Sequence, residues 1–120
     1  MLRFVIQEHV RAEQVHWDLM LEKAGSLVTF QTPQPPQKWC QEPFTGTKIC
    51  NHRLKYLTYE GPLSGGRGSV QIAAAGWYEP MQITEDYWRV SLQSDKISGK
   101  LELKLLQDDR WQLTFHGEYP

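Results

Sequence analysis

The chain has 120 residues, of which 40 % are hydrophobic and 12 % aromatic, enough for one compact core and a single domain over residues 1–120. A formal net charge of −1 without any polybasic run excludes broad electrostatic capture of nucleic acid, though not a small site that grips one strand end. No apolar run approaches a membrane span and the first residues lack the cationic and apolar regions of a signal peptide, so a cytoplasmic protein with reduced Cys40 and Cys50 and no membrane partner is expected.

In chain order, residues 2–7 are rich in β-formers and read as a strand. Residues 8–14 are polar and read as a loop or one helical turn. Residues 16–22, His-Trp-Asp-Leu-Met-Leu-Glu, alternate strictly. On a strand, Trp17, Leu19 and Leu21 then face a core, and His16, Asp18, Met20 and Glu22 share the opposite face. A turn over Lys23–Ser26 returns the chain as a hairpin partner over residues 27–30. The three prolines among residues 31–37 make an extended surface segment, and residues 38–50 read as irregular. The spacing of Cys40, Cys50 and His52 is not that of a recognised zinc site.

Residues 52–59 bring His52 and Tyr56 to one face in either an extended or a helical reading. Residues 61–68 hold four glycines but lack the Gly-Lys-Ser/Thr ending of a P-loop, so they read as a tight loop between strands. Residues 70–75 and then Trp77-Tyr78 suggest a strand and a turn, broken at Glu79-Pro80. Alternation returns over 87–93, with Trp88, Val90 and Leu92 inward, and over 100–106, with Leu101, Leu103 and Leu105 inward. Trp111, Leu113 and Phe115 answer on the last strand. About seven short strands with regular turn signals predict a mainly β fold, a small antiparallel β-barrel with short helical or irregular connections.

Two histidines and an aspartate, His9, His16 and Asp18, are the ligand types of a divalent transition-metal site with open coordination positions. An ion there would act on a phosphoryl group as a Lewis acid. The remaining phosphate oxygens would then need a cationic partner and a hydroxyl donor, for which His52 and Tyr56 are the candidates. Gln7 shares the face of His9 on a strand, so its amide could orient the phosphate or a ligand.

Phe4-Val5-Ile6-Gln7-Glu8-His9 followed by His16-Trp17-Asp18-Leu19-Met20-Leu21-Glu22 resembles the signature of the 3′-phosphoesterase domain of bacterial DNA ligase D, roughly F-V-x-Q-x-H, a spacer, then H-[YW]-D-[LF]-R-L-E. Asn51-His52-Arg53-Leu54-Lys55-Tyr56 with Tyr59-Glu60-Gly61 is similar to that family's D-H-P-x-x-Y-x-x-F-E-G. The resemblance implies a metal-dependent 3′-phosphoesterase, a phosphomonoesterase and phosphodiesterase of DNA repair. Its substrates would be 3′ phosphates or 3′ ribonucleotides at the end of DNA or a primer-template, with a separate ligase or polymerase as partner. It implies His9, His16 and Asp18 as ligands of manganese, with zinc as the other candidate. It also implies His52 and Tyr56 as phosphate-binding catalytic residues, with Gln7 beside them.

Three departures from the pattern bear on activity. Met20 stands where the family places an arginine, and a thioether cannot replace a guanidinium fork on phosphate. The spacer before His16 is one residue longer than the family's. Between Trp39 and Asn51 the only cation is Lys48, where the family has a further arginine. Arg11, Arg53 and Arg67 are the alternative sources of charge. The rival expectation is a non-catalytic module that keeps the metal site and binds a DNA end or a repair partner. Met20→Arg should raise activity, provided the longer spacer before His16 leaves room for the guanidinium.

Overall fold

A computed structural model describes residues 1–119. Among them nine strands join one sheet: β1 (Leu2–Arg11), β2 (Gln14–Lys23), β3 (Ser26–Thr32), β4 (Phe44–His52), β5 (Gly61–Pro62), β6 (Ser69–Ile83), β7 (Tyr87–Gln93), β8 (Ser98–Gln107) and β9 (Arg110–Glu118). The order β1-β2-β3-β4-β9-β8-β7-β6 closes through β1–β6 pairing, and β5 adds a short flap to β6. Every pairing is antiparallel, so the predicted small antiparallel barrel is the fold observed. Closure leaves no long unpaired edge to template association.

Period-2 alternation decides which side chains fill the barrel. Phe4, Ile6, Leu19, Leu21, Phe30, Val90, Leu101, Leu103 and Leu113 are buried in one interior cluster, while Trp17 packs against it only partly covered. Phe30 meets Trp88 and Trp111 edge-on, with centroids 6.1 and 5.3 Å apart, the orientation favoured by aromatic quadrupoles.

Several elements are longer than the sequence suggests. The segment 8–14 is neither loop nor helical turn: β1 runs to Arg11 and β2 starts at Gln14, with Ala12 taking φ 55° at the turn between. Segment 38–50 is irregular only at its start, since β4 begins at Phe44. Within the irregular part, Trp39 is fully buried against Phe44, and its indole N–H donates to the Gln34 carbonyl at 2.8 Å. Glu79-Pro80 does not end its strand; β6 continues to Ile83 with a register shift between Pro80 and Gln82. A bulge absorbs the missing proline N–H there, which is where proline is tolerated in a sheet. Of the glycine-rich segment 61–68, Gly61–Pro62 form β5 and the remainder is the loop between β5 and β6.

The outer wall over β1, β2 and β3 positions the site. Cross-strand register places Val5, Met20 and Thr29 in one row, and Gln7, Asp18, Gln31 and Thr47 in the next. His9 and His16 stand opposite each other one row further. A one-turn 3₁₀ helix, Leu54–Leu57, lies over the first row and makes a second apolar cluster of Val5, Met20, Leu27 and Leu57, flanked by Tyr56 and Ile72.

Candidate metal centre

Extension of the β1–β2 hairpin builds the centre. Because His9 and His16 are directly paired, their side chains leave the same side of the sheet about 5 Å apart. Asp18, two residues along β2, projects from that face as well. His9 Nδ1 and His16 Nε2 are 3.0 Å apart, and His16 Nε2 lies 3.4 Å from Asp18 Oδ1. The three ligand atoms all fall within 4.8 Å of one another.

The histidine tautomers follow from their partners. His9 Nε2 is 2.6 Å from the Arg67 carbonyl, which can only accept, so Nε2 carries the hydrogen and Nδ1 presents its lone pair to the cluster. Metal-bound histidines commonly hold their outward N–H on a backbone carbonyl in this way. Gly68 makes the grip possible: at φ 87° it brings the loop so close to β1 that a Cβ there would collide with the Val10 carbonyl oxygen.

Asp18 is 4 % exposed, and its Oδ1 is buried without a hydrogen-bond partner among the described residues. The His16 imidazole, 3.4 Å away, makes no hydrogen bond to it and pairs with it only as the charged ring. A buried carboxylate oxygen left unpaired costs about 1–3 kcal/mol or more, so such an atom normally has a partner supplied from elsewhere. A metal ion fits that role. Two ligand atoms about 2.1 Å from one ion and about 90–110° apart lie about 3.0–3.4 Å from each other. The two separations measured across this cluster are 3.0 and 3.4 Å. The donor set, two imidazoles and one carboxylate on one side, leaves the outward positions open for solvent and substrate.

The other candidate residues flank this cluster and do not enter it. His52, at the end of β4, sits over the Met20–Thr29 row: its Nδ1 is 3.1 Å from the Cys50 carbonyl and 3.0 Å from Thr29 Oγ1, whose own hydrogen goes to the Leu27 carbonyl. Both partners accept, so Nδ1 is the protonated nitrogen and Nε2 is left for an outside partner. Tyr56, on the 3₁₀ helix, packs edge-on against His52 with ring centroids 5.7 Å apart. Gln7 is 1 % exposed, and its amide donates at 3.0 Å to the carbonyls of both Tyr56 and Tyr59. Both amide hydrogens are therefore spent on the segment that carries Tyr56.

Met20 is 1 % exposed beneath Leu57. The position thus offers no open space for a guanidinium. Of the alternative cations, Arg67 is drawn back to its own loop, its guanidinium donating to the Ser64 carbonyl and hydroxyl at 2.8 and 3.1 Å. Cys40 and Cys50 are free and exposed. Sequence reasoning missed the Arg67 carbonyl, the Thr29 hydroxyl and the apolar patch under the 3₁₀ helix. Only Gly68 carried a signal for the first of these, as a glycine where a loop must approach a strand closely.

A closed antiparallel barrel with a two-histidine, one-carboxylate cluster on its outer wall defines a class of small site-on-barrel protein. The DNA ligase D 3′-phosphoesterase domain family matches residues 7–118, and the chain belongs to that family. It is 32 % identical over 115 residues to the multifunctional non-homologous end joining protein LigD of Mycobacterium bovis, covering 90 % of this chain and 15 % of the relative. It is 28 % identical over 123 residues to the LigD of Mycolicibacterium smegmatis, covering 91 % of this chain and 16 % of that protein. The LigD of Pseudomonas aeruginosa is 26 % identical over 114 residues, covering 86 % and 13 %. The chain thus corresponds to a small part of each relative's length. Among the described residues, no helix is long and apolar enough to cross a membrane.

Proposed function

We propose that this chain is a divalent-metal-dependent 3′-phosphoesterase acting on 3′-phosphate or 3′-ribonucleotide ends of DNA or a primer-template. His9, His16 and Asp18 hold the ion, manganese in the first instance and zinc as the alternative. The observation that carries the reading is the orphaned, buried Oδ1 of Asp18 facing two imidazole nitrogens. A bound ion supplies Lewis-acid polarisation of a phosphoryl oxygen and acidifies water at the site.

The chain's own groups do the rest. His52 keeps its Nδ1 hydrogen on the Cys50 carbonyl and Thr29, which fixes the ring; as the imidazolium, with a second hydrogen on Nε2, it donates that hydrogen to the phosphate or leaving oxygen. The Tyr56 hydroxyl donates to the same anion. Gln7 acts by holding the Tyr56 and Tyr59 carbonyls, which sets where that phenol stands. The burial of Met20 favours a second reading, a module that binds a DNA end or a repair partner without turnover, because a preorganised phosphate cation is missing from its row.

The test is a gel assay of 3′-phosphate-ended and ribonucleotide-ended labelled oligonucleotides under manganese titration. Wild type should release phosphate slowly. His52→Ala should stop turnover and leave manganese affinity nearly unchanged, whereas His16→Ala should lose both. An inert wild type that still binds manganese and DNA ends establishes the non-catalytic reading. Loss of manganese binding in His52→Ala overturns the ligand assignment.

A further inference from the structure

A cavity of about 430 Å³ adjoins His16 on the side away from β1, lined by Gln14, Val15, His16, Gln31, Pro33 and Thr47. We propose that this trough seats the nucleoside carrying the 3′ phosphate; the proposal rests on the metal-centre reading given above. Register sets its position. Gln31 pairs with Asp18, and Thr47 pairs with Gln31, so the row that supplies the carboxylate ligand continues sideways across β3 and β4. At strand spacing these residues stand about 5 and 10 Å from Asp18.

Chemistry sets the occupant. No lysine or arginine lines the trough, so it is not built for a backbone phosphate. Two carboxamides and a hydroxyl each both donate and accept, which suits base edges and sugar hydroxyls, a ribose 2′-OH included. Pro33 and Val15 add an apolar surface for a base. On the other side of β1 the wall is different. The Glu60 carboxylate, which lines a cavity of about 360 Å³ there and accepts at 2.8 Å from the N–H of Ile72, the register partner of Gln7, repels an incoming strand. A 3′ end whose phosphate reaches the cluster is therefore directed toward the Gln31 and Thr47 side.

The experiment is calorimetric titration of manganese-loaded protein with inorganic phosphate and with adenosine 3′-phosphate. Wild type should bind the nucleotide at least about tenfold more tightly than phosphate, about 1.4 kcal/mol. Gln31→Leu and Thr47→Val should each remove most of that preference and leave phosphate affinity unchanged, which also reports an intact fold and centre. Equal affinity of wild type for the two anions overturns the proposal alone, as does retention of the full preference by both variants. Failure of wild type to take up manganese overturns the metal-centre reading and this one with it, and failure of the loaded protein to bind either anion overturns this one.

Discussion

Asp18 and Met20 are two residues apart on one face of β2, and their surroundings are opposite. Met20 is sealed by protein: Val5, Leu27 and Leu57 close over it, and the 3₁₀ helix serves as its lid. Asp18 is equally hidden, yet its Oδ1 has no hydrogen-bond partner among the described residues. Within one short step of strand the outer wall passes from a patch covered by the chain itself to a cluster whose buried carboxylate oxygen is left open. Under the proposed function, the same face is scaffold at one end and binding site at the other. The link between them is Gln7, paired with Asp18 across the sheet and hydrogen-bonded to the lid.

The largest effect should come from breaking the open end. Asp18→Asn should lower turnover about 10³-fold and abolish the thermal stabilisation by manganese, which at 100-fold excess over Kd is about 2.7 kcal/mol in the intact protein. Without metal the same variant should be no less stable than wild type, because a neutral amide is cheaper to bury than an unpaired carboxylate. A metal-free variant several degrees less stable than wild type would show that Asp18 is already satisfied within the fold.

Next comes the sealed end. Met20→Arg places a charge where Leu57 and Val5 now pack, and should cost about 3 kcal/mol of stability by denaturant unfolding. The expectation from the motif, that an arginine at that position raises activity provided there is room for its guanidinium, here meets a sealed position. A stable Met20→Arg protein with raised turnover would show that the lid opens readily to let the guanidinium out. Gln7→Ala tests the link. It leaves the Tyr56 and Tyr59 carbonyls without their donors, at about 2 kcal/mol together, and should reduce turnover while manganese affinity holds. A parallel loss of manganese affinity would make Gln7 part of the centre itself.

The contrast also marks what could be read from the sequence. Alternation over residues 16–22, 87–93 and 100–106 was enough to place Leu19, Leu21, Val90, Leu101 and Leu103 in the barrel, because period 2 is a direct image of two faces. The ligand types at His9, His16 and Asp18 were legible as well. Strand parity put His16 and Asp18 on one face; what it did not give was the direct pairing of His9 with His16 through a hairpin whose polar residues carried no strand signal. Met20 shared the polar face by parity, and no local pattern says that a 3₁₀ helix more than thirty residues downstream will cover it. Long-range register and tertiary cover are the parts that local propensity does not encode.

The smallest expected effect sets a group with a built-in partner beside Asp18. The Tyr78 hydroxyl donates to the Glu22 carbonyl at 2.5 Å, and burial, followed by the nearby Glu22 charge, pushes its pKa from 10.0 to about 12. A pKa raised on folding means that the neutral phenol is favoured in the folded state. Its contribution is thus complete below pH 10 and is lost as pH rises from 10 to about 12. Tyr78→Phe should cost about 1 kcal/mol at neutral pH and flatten the fall in stability across that alkaline window. Tyr87, raised first by its hydrogen bond to Glu102, and Tyr119, raised by burial, keep part of the slope in the variant. Urea unfolding at intervals from pH 8 to pH 12 measures both quantities. An unchanged slope would mean that Tyr78 ionises as readily in the folded barrel as in the unfolded chain, and that its hydrogen bond to Glu22 contributes nothing to the wall.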